Sequence, residues 1–209
     1  AGNCIIDDEA VREASCQEIL RRYYTALCGQ RQGVVSEDVI YKLELLMKKA
    51  EVTVHDRVVI APALQKAALT GAPAAAMELP DGTIVTGKTS DLLGASAALL
   101  LNALKILGGI SDDIHLISPV IIEPIQHLKV SHLGNRNPRL HTDEVLIALS
   151  ISAATNPTAE LAMEQLARLR GCEAHSSVIL SAVDERVFRR LGINITCEPR
   201  YQTSKLYTV

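Results

Sequence analysis

Residues 79–110 read LPDGTIVTGKTSDLLGASAALLLNALKILGGI, and this stretch decides the fold because it joins a tight turn to the most apolar run of the chain. The turn signal is Pro80-Asp81-Gly82, which lies between Met77-Glu78-Leu79 and the β-branched segment at residues 83–85. Asp-Gly between two such segments is typical of a β-hairpin, and β-branched residues favour strands. We therefore expect two antiparallel strands joined at this turn.

The apolar run at residues 92–110 predicts a long helix. Ser96, Asn102 and Lys105 interrupt the run, and Gly108-Gly109 end it. A helix that crosses a membrane needs about 20 predominantly apolar residues. We therefore expect a buried central helix in a soluble protein that makes no contact with a membrane.

Residues 82–89 also match G-x-x-x-x-G-K-T, the letter pattern of a phosphate-binding loop. The four central positions favour a strand, so we expect Gly82 to serve the turn, Gly87 to serve a second loop, and no nucleotide loop. Ser90 is a good N-cap for the central helix. Lys88, Thr89 and Ser90 would then lie at its positive end, where they could bind an anion. The alternative is a capped helix with a solvated lysine.

Composition and charge indicate a globular protein that does not bind nucleic acid. With 209 residues, 48% of them hydrophobic, the chain can bury a sizeable core in one domain or in two small lobes. A net charge of −3, no Trp and one Phe argue against nucleic acid as a partner.

The cysteines indicate the cellular compartment of the protein, and the first residue indicates whether the chain is part of a longer protein. Five cysteines without a C-x-x-C pair predict reduced thiols in a cytoplasmic protein and no metal site. The chain starts at Ala1, with neither a signal peptide nor an initiating Met, so we expect it to be trimmed or to be a piece of a longer protein.

Helix and strand signals divide the chain into a helical lead-in at residues 1–71 and a core at residues 72–209. In the lead-in we expect a helix from Asp7, a second from Ser36 to about Ala50, an extended segment at residues 53–60, and a short helix at residues 61–70. In the core, further helices are expected to start at Ser118-Pro119, Thr142 and Asn156-Pro157. At its end, a strand at 174–180, a helix at 183–191 and a strand at 193–197 predict a small βαβ unit with parallel strands.

The second informative stretch is LGNRNPRLHTDE at residues 133–144, where polar side chains crowd into a loop before a helix. Asn135, Arg136 and Arg139 supply the amide and forked guanidinium donors that recognise phosphate or carboxylate. His141, at the start of the helix, could act as a general acid or base. The alternative is an ordered surface loop whose arginines pair with nearby carboxylates.

Three other groups of polar residues give weaker signals. His55-Asp56-Arg57 favours a surface loop. His127 and His132 are five apart, which does not place them on one face of an α-helix. Cys172 and His175 could form a nucleophile pair, but residues three apart on a strand face opposite sides.

Three long segments together resemble one family. They are residues 80–105 (PDGTIVTGKTSDLLGASAALLLNALK), 133–159 (LGNRNPRLHTDEVLIALSISAATNPTA) and 170–202 (RGCEAHSSVILSAVDERVFRRLGINITCEPRYQ). They closely resemble the carboxy-terminal part of the bacterial DUF1846 (UPF0371) proteins, and the similarity extends over nearly the whole chain. The resemblance implies that this chain corresponds to the carboxy-terminal half of a protein more than twice as long.

The same resemblance implies little about activity, because the family has no known function. Its amino-terminal half carries a glycine-rich segment similar to a nucleotide phosphate loop, and some members have been labelled ATP-dependent peptidases. This chain has no H-E-x-x-H motif and no convincing Ser/His/Asp or Cys/His set, so it does not support that label.

The sequence therefore predicts a mixed, helix-rich α/β fold with a buried central helix, a β-hairpin, a small βαβ unit and about eight helices. The first functional hypothesis is part of an enzyme that binds a phosphate-bearing or nucleotide-like anion. Lys88, Thr89 and Ser90 would meet Arg136, Arg139 and His141 at one cleft. Asn135 is a further candidate ligand-binding residue, and the sequence leaves the cofactor unknown. The second is an interaction module that docks the amino-terminal nucleotide-binding half or forms a homo-oligomer.

Overall fold

In a computed structural model, residues 7–202 are described, and they form eight α-helices and one four-stranded mixed sheet. The predicted mixed α/β, helix-rich fold is therefore confirmed. The helices are α1 (Asp8–Arg31), α2 (Glu37–Ala50), α3 (Ile60–Thr70), α4 (Ala95–Leu107), α5 (Pro119–His127), α6 (Thr142–Ala153), α7 (Pro157–Glu164) and α8 (Ala182–Leu191).

The sheet has the strand order β2-β1-β3-β4. Its strands are β1 (Ala74–Glu78), β2 (Ile84–Lys88), β3 (Glu173–Ser176) and β4 (Asn194–Cys197). β1 pairs antiparallel with both β2 and β3, and β3 pairs parallel with β4 across α8. The hairpin and the βαβ unit are both confirmed, although β3 ends at Ser176 rather than at residue 180 because Ser176 and Val178 form a local turn.

The hairpin explains why the phosphate-loop letters do not form a phosphate loop. Gly82 has a φ of +82°, which a turn requires and which favours glycine, and Asp81 Oδ1 accepts from the Thr83 N–H at 3.0 Å. Gly87 lies in strand β2, not in the second loop that we expected. A Cβ at Gly87 would lie 2.2 Å from the backbone nitrogen of Leu99, so glycine is needed there for α4 to pack on β2.

Helix α4 lies in the main core, as its apolar sequence predicts. Leu99, Leu100, Ala103 and Leu104 are fully buried. The helix is shorter than residues 92–110, because its N-cap is Gly94 and its first residue is Ala95. No helix within residues 7–202 is both long enough and apolar enough to span a membrane.

The helix cap predicted at Ser90 is wrong. Ser90 Oγ accepts from the backbone N–H groups of Leu92 and Leu93, at 3.3 and 3.1 Å, and so closes a short turn ahead of the helix. The cap predicted at Thr142 is also one residue off, since His141 is the N-cap of α6 and Thr142 is its first residue.

The extended segment predicted at residues 53–60 is instead a 3₁₀ turn, Val54–Asp56, followed by the start of α3. The turn forms because Asp56 Oδ2 accepts from both the backbone N–H and the hydroxyl of Thr53, at 2.6 and 3.0 Å.

Arg57, expected in a surface loop, is only 1% exposed. Its guanidinium donates to the carbonyl oxygens of Ala174 and Asn194, each at 2.8 Å, and pairs with Glu173. Glu173 also pairs with Arg21 of α1 at 2.6 Å. This buried cluster joins α1 to the ends of β3 and β4.

A π-helical turn, Leu128–His132, follows α5. It brings His127 and His132 together, although their spacing predicted that they would not share one face of an α-helix. The rings of His127 and His132 lie 5.6 Å apart, edge to face. In a π turn each residue bonds five positions along the chain, so residues five apart come close where an α-helix would separate them.

Candidate functional site

Three helices begin at one cavity of about 190 Å³. Their N-caps are Gly94 for α4, His141 for α6 and Ser181 for α8. The polar side chains around the cavity belong to Thr89, Ser96, Asn137, Arg139, His141, Ser176, Ser181, Asp184 and Gln202.

The two polar segments singled out from the sequence meet here because their backbones pair. Leu93 and Leu140 form a parallel bridge, in which the Gly94 N–H donates to the Leu140 carbonyl at 3.2 Å. The Leu140 N–H donates to the Leu92 carbonyl at 3.0 Å. Arg139 Nε also donates to the Ser90 carbonyl at 2.6 Å, which fixes the arginine beside the turn.

A buried lysine holds the second segment in place. Lys129 Nζ donates to the Arg139 carbonyl at 2.6 Å and pairs with Glu144 at 2.7 Å. The same carboxylate oxygen of Glu144 accepts from the backbone N–H of His141 at 2.8 Å. These bonds fix the chain on both sides of Leu140, so the side chains at 139 and 141 project from a rigid backbone.

His141 and Asp184 form a hydrogen-bonded pair, with His141 Nδ1 3.1 Å from Asp184 Oδ2. Ser181 Oγ donates to the same oxygen at 2.8 Å. The other oxygen, Oδ1, accepts from the Thr142 N–H and hydroxyl, each at 2.9 Å, which is why Thr142 lies inside the helix rather than at its cap. Both carboxylate oxygens of Asp184 therefore already have donors.

The contact between His141 and Asp184 shifts the pKa of both side chains. The hydrogen bond to Asp184 raises the pKa of His141 above its ordinary value, against the opposing effect of burial. Burial alone would raise the pKa of Asp184, but hydrogen bonds from His141, Thr142 and Ser181 outweigh it and hold that pKa below its ordinary value. An imidazole bonded in this way through Nδ1 keeps Nε2 for another partner.

Arg139 keeps unused hydrogen-bonding capacity at the cavity. Its Nε is bonded to Ser90, whereas its two terminal nitrogens have no partner among residues 7–202, and no described carboxylate lies within ion-pair distance. The N-termini of α4, α6 and α8 and this guanidinium contribute positive charge at the cavity, whereas acidic residues in the first turns of α6 and α8, among them Asp184, contribute negative charge.

The structure brings together some of the residues predicted for the site and separates others. Thr89, Arg139 and His141 line the cavity. Ser90 is not part of the lining, but its carbonyl accepts a hydrogen bond from Arg139. Lys88, Asn135 and Arg136 are exposed and are not part of the lining.

Sequence reasoning missed Ser96 and Asp184. Ser181-x-x-Asp184 is a capping pattern that could have marked the start of α8. Nothing in the sequence, however, shows that Asp184 lies against His141, 43 positions away. Ser96 was hidden within an apolar run, where it was counted only as an interruption.

The Cys172–His175 pair remains unsupported as a nucleophile site. His175 is fully buried, bonded through Nδ1 to Thr196 at 2.8 Å and through Nε2 to Glu198 at 3.2 Å. Burial raises the pKa of the Cys172 thiol, which disfavours the reactive thiolate. In the described part of the chain, no group of three His, Cys, Asp or Glu side chains is placed to hold a metal ion.

A second and larger cavity, of about 920 Å³, lies between the α1–α2 pair and the βαβ unit. Its apolar lining comes from both sides: Ala26, Val35, Val39, Leu43, Leu46, Ile193 and Ile195. Arginines 21, 22 and 189 lie among its polar lining residues. It shares no residue with the smaller cavity.

Comparison with known proteins identifies the family. Residues 55–207 match the family model described as "Domain of unknown function DUF1846, C-terminal", and residues 1–51 match "Domain of unknown function DUF1846, N-terminal". The boundary between the two matches falls just after α2.

Curated relatives agree with this match. The UPF0371 proteins of Corynebacterium efficiens, Corynebacterium urealyticum and Streptococcus equi subsp. equi are 56%, 55% and 53% identical over 206 residues, which is 99% of this chain. These residues make up 42%, 41% and 42% of the three relatives, so the chain spans about two fifths of their length. The chain belongs to the DUF1846 (UPF0371) family, a bacterial family whose function is unknown.

Proposed function

We propose that this chain is part of an enzyme that binds a small anionic ligand in the 190 Å³ cavity and uses His141 to transfer a proton. The observation that carries the proposal is the meeting of three helix N-termini with the unpaired guanidinium of Arg139. Each N-terminus carries about half a positive charge. A negatively charged ligand is the partner that such a cavity stabilises best.

The electrostatic contribution of Asp184 does not cancel this attraction. Its carboxylate accepts four hydrogen bonds, from His141, Ser181 and two groups of Thr142. When His141 is protonated the pair is neutral as a whole. The positive charge of Arg139 then has no counterion among the described residues.

His141 is suited to acid–base chemistry because Asp184 orients it. The bond at Nδ1 fixes the ring, and Nε2 has no partner within residues 7–202. The raised pKa keeps a larger fraction of the imidazole protonated near neutral pH, so it could donate a proton to a bound ligand. Asp184 would act as a positioning residue that stabilises the imidazolium form.

A thermal-shift titration with phosphate, sulfate and small phosphate compounds tests the proposal. A ligand present at 100 times its Kd should stabilise the folded state by about 2.7 kcal/mol. Arg139→Ala should weaken binding by about 1.5–3 kcal/mol, the usual contribution of a hydrogen bond to a charged group.

Arg136→Ala is the matched control, because it removes an exposed arginine of the same loop that lies outside the cavity. Equal loss of binding in the two arginine variants would contradict the assignment to this cavity. Lys88→Ala separately tests the lysine predicted from the sequence.

A second candidate function, docking of another part of the protein, is favoured by the surface of α2. Tyr41 is 61% exposed and Leu45 is 48% exposed, although α2 packs chiefly against α1. The α1–α2 pair is matched by the amino-terminal family model and borders the large apolar cavity. We propose that the amino-terminal part of the longer family members docks on this surface, with a homo-oligomer as the alternative outcome.

A further inference from the structure

Ser96 is a buried polar side chain without a partner. It is 4% exposed, it lines the cavity, and its hydroxyl makes no hydrogen bond with residues 7–202. Every fully buried side-chain nitrogen and oxygen among the described residues has a hydrogen-bond partner, so the unpaired Ser96 hydroxyl is open to the cavity, where a ligand can reach it. Its position in the first turn of α4 indicates that a ligand atom would complete its bonding.

The N-terminus of α4 is also the only one of the three described helix ends at the cavity that lacks a side-chain cap. The first intrahelical bond runs from the Ala98 N–H to the Gly94 carbonyl at 3.0 Å, so the N–H groups of residues 95–97 precede it. Gly94 has no side chain that could accept from them.

The other two helix ends are capped from within the protein. Asp184 accepts from the Thr142 N–H at the start of α6, and Ser181 Oγ accepts from the Asp184 N–H at the start of α8. An anionic group in the cavity therefore finds its free backbone donors at α4.

The number of donors favours a group with three oxygens. Ser96 Oγ, the free N–H groups of the first turn of α4 and the two terminal nitrogens of Arg139 exceed what two carboxylate oxygens need. A phosphate monoester offers three terminal oxygens, and helix N-termini commonly bind phosphate.

The size of the cavity limits the rest of the ligand. Its volume of about 190 Å³ corresponds to roughly six water molecules. Sites for drug-sized ligands are about 300–1,000 Å³. A phosphate group with a short carbon chain fits this volume, whereas the base and ribose of a nucleotide would remain outside.

We propose that the cavity takes a compact phosphate monoester whose phosphate lies at the N-terminus of α4, between Ser96 and Arg139, and that nucleotides are not its ligands. This inference rests on the proposed function and specifies the chemical class of the anionic ligand as compact phosphate monoesters. It also names Ser96 as a ligand-binding residue.

Calorimetric titration of the full chain with glycerol 3-phosphate, inorganic phosphate and ADP tests the inference. Glycerol 3-phosphate should bind most tightly of the three. Ser96→Ala should weaken its binding about ten- to hundredfold, as expected for the loss of a hydrogen bond to a charged group. Ser150→Ala is the matched control, because Ser150 is an exposed helical serine whose hydroxyl bonds only to the Ile147 carbonyl.

The outcomes separate this inference from the proposed function. If none of the three compounds binds but sulfate or another anion stabilises the chain in the thermal-shift titration, the phosphate ester is overturned and the anion site stands. If no anion binds in either experiment, the proposed function itself is wrong. Two results would contradict the compact phosphate ester but leave the anion site in place. One is binding that is lost in Arg139→Ala but unchanged in Ser96→Ala. The other is tighter binding of ADP than of glycerol 3-phosphate. Unliganded melting temperatures of each variant show whether the fold is retained.

Discussion

At the scale of single residues, Arg57 shows how a buried charge can hold two parts of the chain together. Its guanidinium bonds to Glu173, Thr196 and two strand carbonyls. Arg57→Ala should lower the free energy of unfolding by about 3–5 kcal/mol, because it removes the donor to two strand carbonyls and to the Thr196 hydroxyl and breaks one of the two ion pairs of Glu173, which keeps Arg21. Urea denaturation monitored by circular dichroism measures this difference.

Arg22→Ala is the control for that prediction. Arg22 pairs with Glu18 one helical turn away on the exposed side of α1. Exposed pairs contribute about 0–1 kcal/mol, so this variant should be nearly as stable as the unmodified chain. A loss of less than about 1 kcal/mol in Arg57→Ala would mean that water replaces its hydrogen bonds.

His141 should make stability depend on pH in a defined direction. Its pKa is raised in the folded state, so its pairing with Asp184 stabilises the fold fully below about pH 6.5, the unfolded value. This contribution is lost as the pH rises through the higher folded-state pKa. Urea denaturation from pH 5 to 9 should therefore show a decline that is reduced in His141→Gln. An identical pH profile in both proteins would show that the pair is not formed.

Some residues of the site could be predicted from the sequence, and others could not. Arg139 and His141 were found because several donors crowd into one polar loop, and such crowding is visible in sequence. Asp184 and Ser96 were not found, because their roles depend on contacts between distant segments. Arg57 was placed at the surface because its charge is visible in the sequence, whereas its contacts with Glu173 and Ala174, more than 100 positions away, are not.

At the scale of elements, the contact between β2 and α4 depends on Gly87. Gly87→Ala should destabilise the fold by about 1–3 kcal/mol, the usual cost of overpacking, because the new methyl group would overlap the backbone of Leu99. Thermal denaturation of this variant and of Gly94→Ala provides the test. At Gly94 an added Cβ would lie 3.7 Å from its nearest neighbour, so its effect should be smaller. Equal stability of the two variants would contradict the packing argument.

Elements were predicted best where a local signal was sufficient. The Asp-Gly turn and the cap at Ser36 each specify a boundary through backbone chemistry close in sequence. The N-cap of α4 was misplaced by four residues, because the backbone pairing of Leu93 with Leu140 holds residues 90–94 outside the helix. That pairing is tertiary and cannot be read from Ser90 alone.

At the scale of the whole molecule, the structure has two separate regions that could carry function. The small polar cavity lies at the N-termini of α4, α6 and α8, and the large apolar cavity lies beside α1 and α2. The chain corresponds to about two fifths of its curated relatives, so an exposed apolar helix is a reasonable place for contact with the remainder.

If the amino-terminal part of the family docks on α2, polar substitutions there should weaken the association without unfolding the chain. Tyr41→Ser combined with Leu45→Ser should reduce affinity for the amino-terminal part of the C. efficiens relative at least tenfold. The reason is that burying one large apolar side chain contributes about 1.5–3 kcal/mol. Leu69→Ser, at an 84% exposed position of α3, should leave affinity unchanged. Analytical ultracentrifugation of the mixture and of the chain alone distinguishes the outcomes. Self-association that the double variant abolishes, without binding to the amino-terminal part, would identify α2 as a homo-oligomer interface instead.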